Sequence, residues 1–532
     1  VHVPTSQVSD YTLRYYLEAI LPPLFKGIYS VLTVWFAPPA ASKVVTVTLS
    51  ILFIGISSAT ARRLAGTVAG YLTLFLATGG VLKNLYFMGG IQRSFGFCLA
   101  ALALHLVCRG NLLPVAVLGV VAASLYPAAA VLILTVLGLL VFLPSTYRGS
   151  LGSWSIAKRV GLLAACAILT GIVVTPQLSA GGRYGQRLSI DAAREFEEWG
   201  PHGRYTPGDR GVPVNMWNKL LVGATAALSS KSKEKVRPLA DRIVAETEPR
   251  SLPAEHVTLV VVFVSLAGGL LGFARRRFFV SAEALRCGVF LVGTIVAFRV
   301  AAALFPLLYI PARYLALGAT ATVPVVFPAL WCFITTSLLP TSRRRLSVLA
   351  SLIVGVAILA SLGWHTLSTK KMPTAVGNRV LFSFIQGLPA DTVIASWPRG
   401  IANMVPLFTG RSVLVFEEGH QIFHREFLEE MRRRTRALIA AYAATDIGPI
   451  ETLRREYNVS FILVNRRHLT RAPDYFAPFN AEMRRALEAV GSTPRILRTL
   501  AKQRAVFTTN DYIIIDIRDL SNLQQATAPL TQ

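Results

Sequence analysis

Residues 111–144 read NLLPVAVLGVVAASLYPAAAVLILTVLGLLVFLP, thirty-four positions without one Asp, Glu, Lys, Arg or His. At 1.5 Å per residue, one straight helix of that length would run about 50 Å, far more than the ~30 Å hydrocarbon layer of a bilayer. Proline removes a helical hydrogen bond and clashes with the preceding turn, so Tyr126-Pro127 is the natural break. The stretch therefore reads as two short apolar helices, antiparallel or re-entrant.

The same character extends outward. From Lys43 to Thr175 there is no Asp or Glu, and the only carboxylates before it are Asp10 and Glu18. Hydrophobic residues make up 53% of the 532 and charged residues 15%, against a usual charged share of about 25%. Applying a requirement of roughly 20 apolar residues per crossing gives spans near 44–60, 64–82, 94–108, 111–126, 127–144, 158–175, 257–274, 282–305, 314–338 and 346–364. The expected fold is a polytopic α-helical membrane protein of about ten transmembrane helices with a C-terminal soluble α/β domain.

The net charge of +26 reflects arginines beside apolar spans, the pattern of a topology signal, and does not point to nucleic acid. Arg62, Arg63, Arg109, Arg148, Lys158, Arg159, Arg275, Arg276, Arg277, Arg343, Arg344 and Arg345 fall on one side of the alternation. The opposite short loops hold Lys83, Arg93 and Arg313. The basic side is expected to be cytoplasmic. That places residues 1–43, 176–256 and 365–532 outside an inner or plasma membrane. An outside N-terminus with no visible export signal is explained if a further helix precedes Val1. Cys98, Cys108, Cys166, Cys287 and Cys332 all lie in apolar segments without CxxC spacing, which argues against a disulfide framework or zinc ribbon.

Two domains are expected: 1–372, a membrane domain with outer loops 1–43 and 176–256, and 373–532, a soluble extracytoplasmic domain. Residues 9–36 carry Tyr15, Tyr16, Tyr29, Trp35 and Phe36 around Leu21-Pro22-Pro23. They read as interfacial helices, aromatic rings favouring the headgroup zone. In the loop 176–256, helical runs are expected near 190–199 and 215–228. In the soluble domain, strands are expected at 393–396, 413–416, 461–464 and 512–515, with helices near 424–443 and 447–457.

Three pieces carry a family resemblance: the aromatic segment Asp10-Tyr11 to Tyr15-Tyr16, the run Leu308-Tyr309-Ile310-Pro311-Ala312-Arg313-Tyr314, and Ser396-Trp397-Pro398-Arg399-Gly400 followed by Arg411-Ser412-Val413-Leu414. With the overall layout, they resemble the C-type (GT-C) membrane glycosyltransferases. The second run is similar to their Pro-x-Arg-Tyr element at an outer helix end. The third is similar to the strand–turn–helix–strand of oligosaccharyltransferase catalytic subunits, whose turn reads Trp-Trp-Asp-Tyr-Gly. Here Pro398-Arg399 stands where that turn has Asp-Tyr, so the same acceptor recognition is not implied.

The resemblance implies sugar transfer from a polyprenyl-phosphate-linked donor at the outer face, with membrane lipids as the other partner and no nucleic acid. It also asks for an outer carboxylate, acting as base or holding a divalent cation against the lipid phosphate. Asp10 is the candidate, although a helix N-terminus favours Asp without any catalysis. If the family's carboxylate follows a preceding span, it lies outside this chain. Lipid phosphate needs fixed cations, for which Arg93, Arg299 and Arg313, with Tyr314, are the candidates. Arg299 also fits snorkelling, and Arg93 and Arg313 fit ordinary interfacial anchoring. Glu283 and Arg286 read as a local ion pair, His105 as a satisfied core histidine, and His420 with His424 as solvated or metal-facing. A lipid or polysaccharide transporter, or a non-catalytic envelope scaffold, remain the alternatives.

Overall fold

The computed structural model describes residues 10–83, 90–144, 148–200, 202–204, 281–304, 308, 310–338 and 377–520. The expected spans 257–274 and 346–364, the expected helix 215–228 and the arginine triplets at 275–277 and 343–345 lie outside the described residues. The chain forms two compact units. One gathers Val1–Lys43, Thr175–Thr206 and His365–Gln532, and the other Val44–Val174 and Pro207–Trp364. The boundary read at residue 373 divides the chain in sequence, whereas the compact units group the first outer segment and residues 175–206 with the α/β domain.

In the apolar unit, α3 covers Pro38–Lys83 but leaves helical geometry at Ala65 and Gly66. Gly66 has φ +86°, a conformation that costs a residue without Cβ little. The Ser58 hydroxyl donates to the Gly70 carbonyl at 2.8 Å, although twelve residues of straight helix would separate them by roughly 18 Å. The element is thus a helical hairpin, matching the separate spans read at 44–60 and 64–82. Helices α4 (Gln92–Arg109), α5 (Leu112–Leu125), α6 (Pro127–Val141) and α7 (Ile156–Gly182) follow, then Ala282–Ala303 and Ala312–Leu338. Among the described residues, four helical elements are long and apolar enough to cross a membrane: Pro38–Val81, which is the hairpin, Ile156–Gly182, Ala282–Ala303 and Ala312–Phe333. Helices α5 and α6 are short and fold back at Tyr126-Pro127, since a Cβ on Gly119 would lie 2.6 Å from Leu134 Cδ2.

Small residues let these helices approach closely, as packing in a lipid solvent requires. A Cβ on Gly318 would sit 2.1 Å from Thr294, one on Gly293 2.5 Å from Val136, and one on Gly96 2.4 Å from the Tyr126 ring.

One end of this unit holds the described members of the basic side read from the sequence. Arg63 pairs with Glu283 at 3.3 Å, and Arg286 Nη1 donates to the Cys108 carbonyl at 2.8 Å. Arg159 Nη1 donates to the Val141 carbonyl at 2.5 Å, and the Ser150 N–H donates to the Gly110 carbonyl at 2.8 Å. Glu283 and Arg286 therefore do not pair with each other. The terminal carbonyls of α4 have no helical partners of their own, and the buried Arg286 satisfies them. His105 Nδ1 shares a hydrogen bond with Thr60 at 2.9 Å, as a core histidine does.

In the other unit, a five-stranded sheet has the order β2-β1-β3-β5-β4. The strands are β1 (Val393–Ser396), β2 (Ser412–Val413), β3 (Val459–Asn465), β4 (Ala505–Thr508) and β5 (Tyr512–Asp516). β1 runs parallel to both β2 and β3, while β5 is antiparallel to β3 and to β4. Alternating apolar residues face two helical layers. Ile462, Val464 and Ile515 meet Leu438, Leu453, Phe479 and Leu500 on one side. Phe461, Leu463 and Ile514 meet Leu381, Ile385 and Val405 on the other. The strand expected at 413–416 is shorter than read: β2 ends at Val413, and the Leu414 N–H makes the last bond to β1, at 2.9 Å to the Ile394 carbonyl. The expected helices near 424–443 and 447–457 are present as Arg425–Ala443 and Gly448–Tyr457.

Candidate functional site

The residues read as phosphate ligands lie at the end of the apolar unit opposite its basic loops. Arg93 opens α4, Arg313 and Tyr314 open Ala312–Leu338, and Arg299 sits about one turn before the end of Ala282–Ala303. The start of α4 and the start of Ala312–Leu338 are neighbours, because a Cβ on Gly96 would meet Leu317 at 2.9 Å. Arg93 and Arg313 are half-buried and Arg299 is exposed. Tyr314 is different: it is 1% exposed, and its hydroxyl donates to the Leu308 carbonyl at 2.8 Å. Its hydroxyl is thus engaged with the backbone.

In the other unit, Asp10 N-caps α1 (Tyr11–Tyr15), its Oδ1 accepting the Leu13 N–H at 2.7 Å. Unpaired N–H groups at a helix start account for an acid there. The chain continues as a π-turn to Ile20 and reverses by 119° at Leu21-Pro22 into α2 (Pro23–Trp35). Glu18, the second acid of the segment, accepts from the Tyr184 hydroxyl at 3.0 Å and lies 3.4 Å from Arg183. Burial, and then the Glu18 carboxylate, push the Tyr184 phenol upward. Among the described residues no three His, Cys, Asp or Glu side chains converge to hold a metal ion. Asp10 and Glu18 are engaged separately.

The first helix is seated on Arg425–Ala443. Tyr15 stacks on Phe427 with ring centroids 3.7 Å apart, and its hydroxyl lies 2.9 Å from His424 Nδ1. Residues 184–188 run antiparallel to 423–427: the Leu188 N–H donates to the Phe423 carbonyl and the Phe427 N–H to the Tyr184 carbonyl. Gly185, at φ +92°, passes so close that a Cβ would lie 2.7 Å from the Glu426 nitrogen. The segment continues to Glu198, which receives two hydrogen bonds of 2.6 Å from Arg432. This strap was not legible beforehand. The run Glu197-Glu198-Trp199, two acids beside a large aromatic in a loop, was its one sequence signal.

His420 and His424 face separate partners, His420 Nδ1 lying 3.2 Å from the Tyr475 hydroxyl. Both are buried, which corrects the solvated reading. Burial, reinforced by Arg187, pushes His424 down from 6.5 to about 4. Burial, with Arg204 and Arg432, holds His420 well below its ordinary value. A histidine that is neutral when folded and protonates readily when unfolded favours folding fully only above its unfolded pKa. Stability of this unit should therefore fall as pH drops from about 6.5 toward about 4, through His424. Thermal unfolding at stepped pH would show it, and the dependence should be shallower in His424→Asn. Equal slopes in both proteins would refute the assignment.

A crevice of about 330 Å³ opens where β1 and β3 end. Its lining includes Ser396, which ends β1, and Trp397 after it, Asn465, which ends β3, and His468 after it, and Arg399, Asp474 and Tyr512. The turn singled out in the sequence, Ser396-Trp397-Pro398-Arg399-Gly400, thus forms one wall. The Trp397 indole N–H donates to the Asp474 carbonyl at 2.8 Å, and Arg399 pairs with Glu417 at 3.3 Å.

No family model and no curated protein matches the chain. Solved structures of the Archaeoglobus fulgidus oligosaccharyltransferase are similar to it. The apo form is 11% identical, with a TM-score of 0.42, covering 85% of this chain and 62% of that one. The form tethered to an acceptor peptide is 11% identical, with a TM-score of 0.44, covering 87% and 61%. The same organism's AglB, in complex with an inhibitory peptide and a dolichol-phosphate, is 12% identical, with a TM-score of 0.41, covering 86% and 61%. The chain spans about three fifths of the length of these proteins.

Proposed function

We propose that the protein is a GT-C-like membrane glycosyltransferase of about ten spans, moving a sugar from a polyprenyl-phosphate donor to an acceptor outside the cytoplasm. The observation that carries the reading is the grouping of Arg93, Arg299 and Arg313 at one end of the helical unit, opposite its main basic loops. Guanidinium groups at a low-dielectric rim hold a phosphate by charge-assisted hydrogen bonds and favour it over a neutral headgroup. In such a transfer the acceptor hydroxyl loses its proton to a carboxylate and attacks the anomeric carbon, while the phosphate leaves with the bonding electrons. Asp10 is the proposed base, and Glu18 is the other acid of its segment. Asp10→Asn and Glu18→Gln separate their roles in a transfer assay with a polyprenyl-phosphate sugar.

Binding tests the donor half directly. Arg299→Ala should weaken polyprenyl phosphate binding by about 1.5–3 kcal/mol, the range for hydrogen bonds to charged groups. Arg109→Ala, at the end of α4 remote from Arg93, should leave it unchanged. Native mass spectrometry of the purified chain reads both. Equal affinity in wild type and Arg299→Ala would remove the phosphate site.

A further inference from the structure

We infer that the crevice at the carboxyl ends of β1 and β3 binds a neutral carbohydrate, one sugar ring deep. The inference stands apart from the donor chemistry of the helical unit. It starts from topology. The chain leaves β1 to form β2 on one side, then crosses to form β3 on the other. The loops after β1 and β3 therefore depart in opposite directions and leave a gap between them. In open α/β sheets this switch point is where ligands bind. The crevice lies there, and its volume of about 330 Å³ is at the small end of ligand pockets, about 300–1,000 Å³.

Its chemistry selects the ligand. Ser396, Asn465, His468 and Tyr512 offer uncharged donors and acceptors around the gap. Burial pushes His468 down to about 4, so at neutral pH its ring carries one donor and one acceptor nitrogen. The two charged groups do not favour an ion: Arg399 is already paired with Glu417, and the Asp474 carboxylate would repel an anion. An apolar ligand would leave these polar groups unanswered. Alternating hydroxyls on a compact ring answer them. The walls are also fixed in advance. Trp397 is 2% exposed and packs edge-on against Tyr442 and Tyr475. The Asn465 Oδ1 accepts the Arg467 N–H at 3.0 Å.

The test uses the full chain in lipid nanodiscs, free of maltoside detergent, whose headgroup is itself a sugar. Methyl α-mannopyranoside, methyl β-galactopyranoside and methyl α-arabinofuranoside are the neutral probes, and glucuronic acid, glucose 1-phosphate and a neutral tripeptide are the comparators. Saturation-transfer NMR should show binding of at least one neutral glycoside. His468→Leu should weaken it by about tenfold, the scale of one hydrogen bond, and so should Ser396→Ala. Unchanged thermal unfolding in both variants would show that the α/β unit remains folded, and unchanged polyprenyl phosphate binding that the crevice acts independently of the donor site. Three results would overturn the proposal: no glycoside binding to wild type, binding that neither substitution alters, or a preference for the anionic sugars or the peptide.

Discussion

Arg432→Met should destabilise the strap formed by residues 183–204 by about 3–5 kcal/mol, the range for stranding one member of a buried ion pair. The Glu198 side chain is fully buried while that of Arg432 keeps 19% exposure. Removing the arginine leaves a buried carboxylate without its hydrogen-bonded partner. Removing the acid instead leaves a guanidinium that still reaches solvent and still lies 4.7 Å over the Phe196 ring. Glu198→Gln should accordingly cost less, about 1–3 kcal/mol. The pair Glu198→Leu with Arg432→Met should recover most of the loss, because well-packed apolar residues often replace a buried ion pair without penalty. Hydrogen exchange at the Leu188 and Phe427 amides, which bridge the strap and the helix, reads the local opening energy. Arg432→Met exchange within about 0.5 kcal/mol of wild type, the scatter of ordinary surface substitutions, would refute the claim.

Phe427→Ala should release α1 from the Arg425–Ala443 helix at a cost of about 3–5 kcal/mol, the usual loss for a buried aromatic. Phe427 is fully buried beneath Tyr15 and Tyr11, with centroids at 3.7 and 5.4 Å, and meets Tyr184 edge-on at 6.1 Å. It is the shared surface of three rings from two distant chain segments, so its loss is felt by all of them. Amides of residues 11–20 should exchange much faster in Phe427→Ala, and those of β3 should be unaffected. The reverse pattern, with β3 loosened and α1 unmoved, would mean that α1 is held by the 2.9 Å bond between Tyr15 and His424 and its backbone neighbours.

Helical identity was legible wherever the hydrophobic pattern was unambiguous. The 34-residue apolar run from Asn111 to Pro144 breaks at Tyr126-Pro127 as proline chemistry requires, and the spans read at 44–60 and 64–82 emerge as the two arms of one hairpin. Strands β1, β3 and β5 were equally readable, because runs such as Phe461-Ile462-Leu463-Val464 have buried faces on both sides. β4 was not: its residues Ala505–Thr508 form an edge strand that is mostly exposed. Such a strand needs no continuous apolar signal, since only its hydrogen-bonding edge is shared.

Of the candidate site, residue types were readable and their partners were not. Asp10 was visible as an acid at a helix start, and the structure shows the cap it forms. Tyr314 was grouped with Arg313 by sequence adjacency, yet the helix turns its ring inward, onto Leu308. Glu283 and Arg286 stand at pairing distance on one helix, but better partners arrive from elsewhere in the unit: Arg63 for the acid and the α4 carbonyls for the arginine. Local spacing proposes such pairs, and desolvation decides among them, since a buried charge goes to whichever partner satisfies it best.

Composition and periodicity by themselves determined that this chain is apolar and helical over its first part and α/β over its last, because burial leaves its period in any sequence. Only the tertiary structure decided that residues 10–20 and 183–204 belong with the α/β domain. Nothing in the sequence between Tyr15 and Phe427, more than four hundred residues apart, signals that their rings stack at 3.7 Å. Likewise, the crevice between Ser396 and His468 exists because β1 and β3 are neighbours while their loops diverge. Contacts of that kind depend on chain crossings in space, and a hydrophobic pattern records which residues are buried without recording against what.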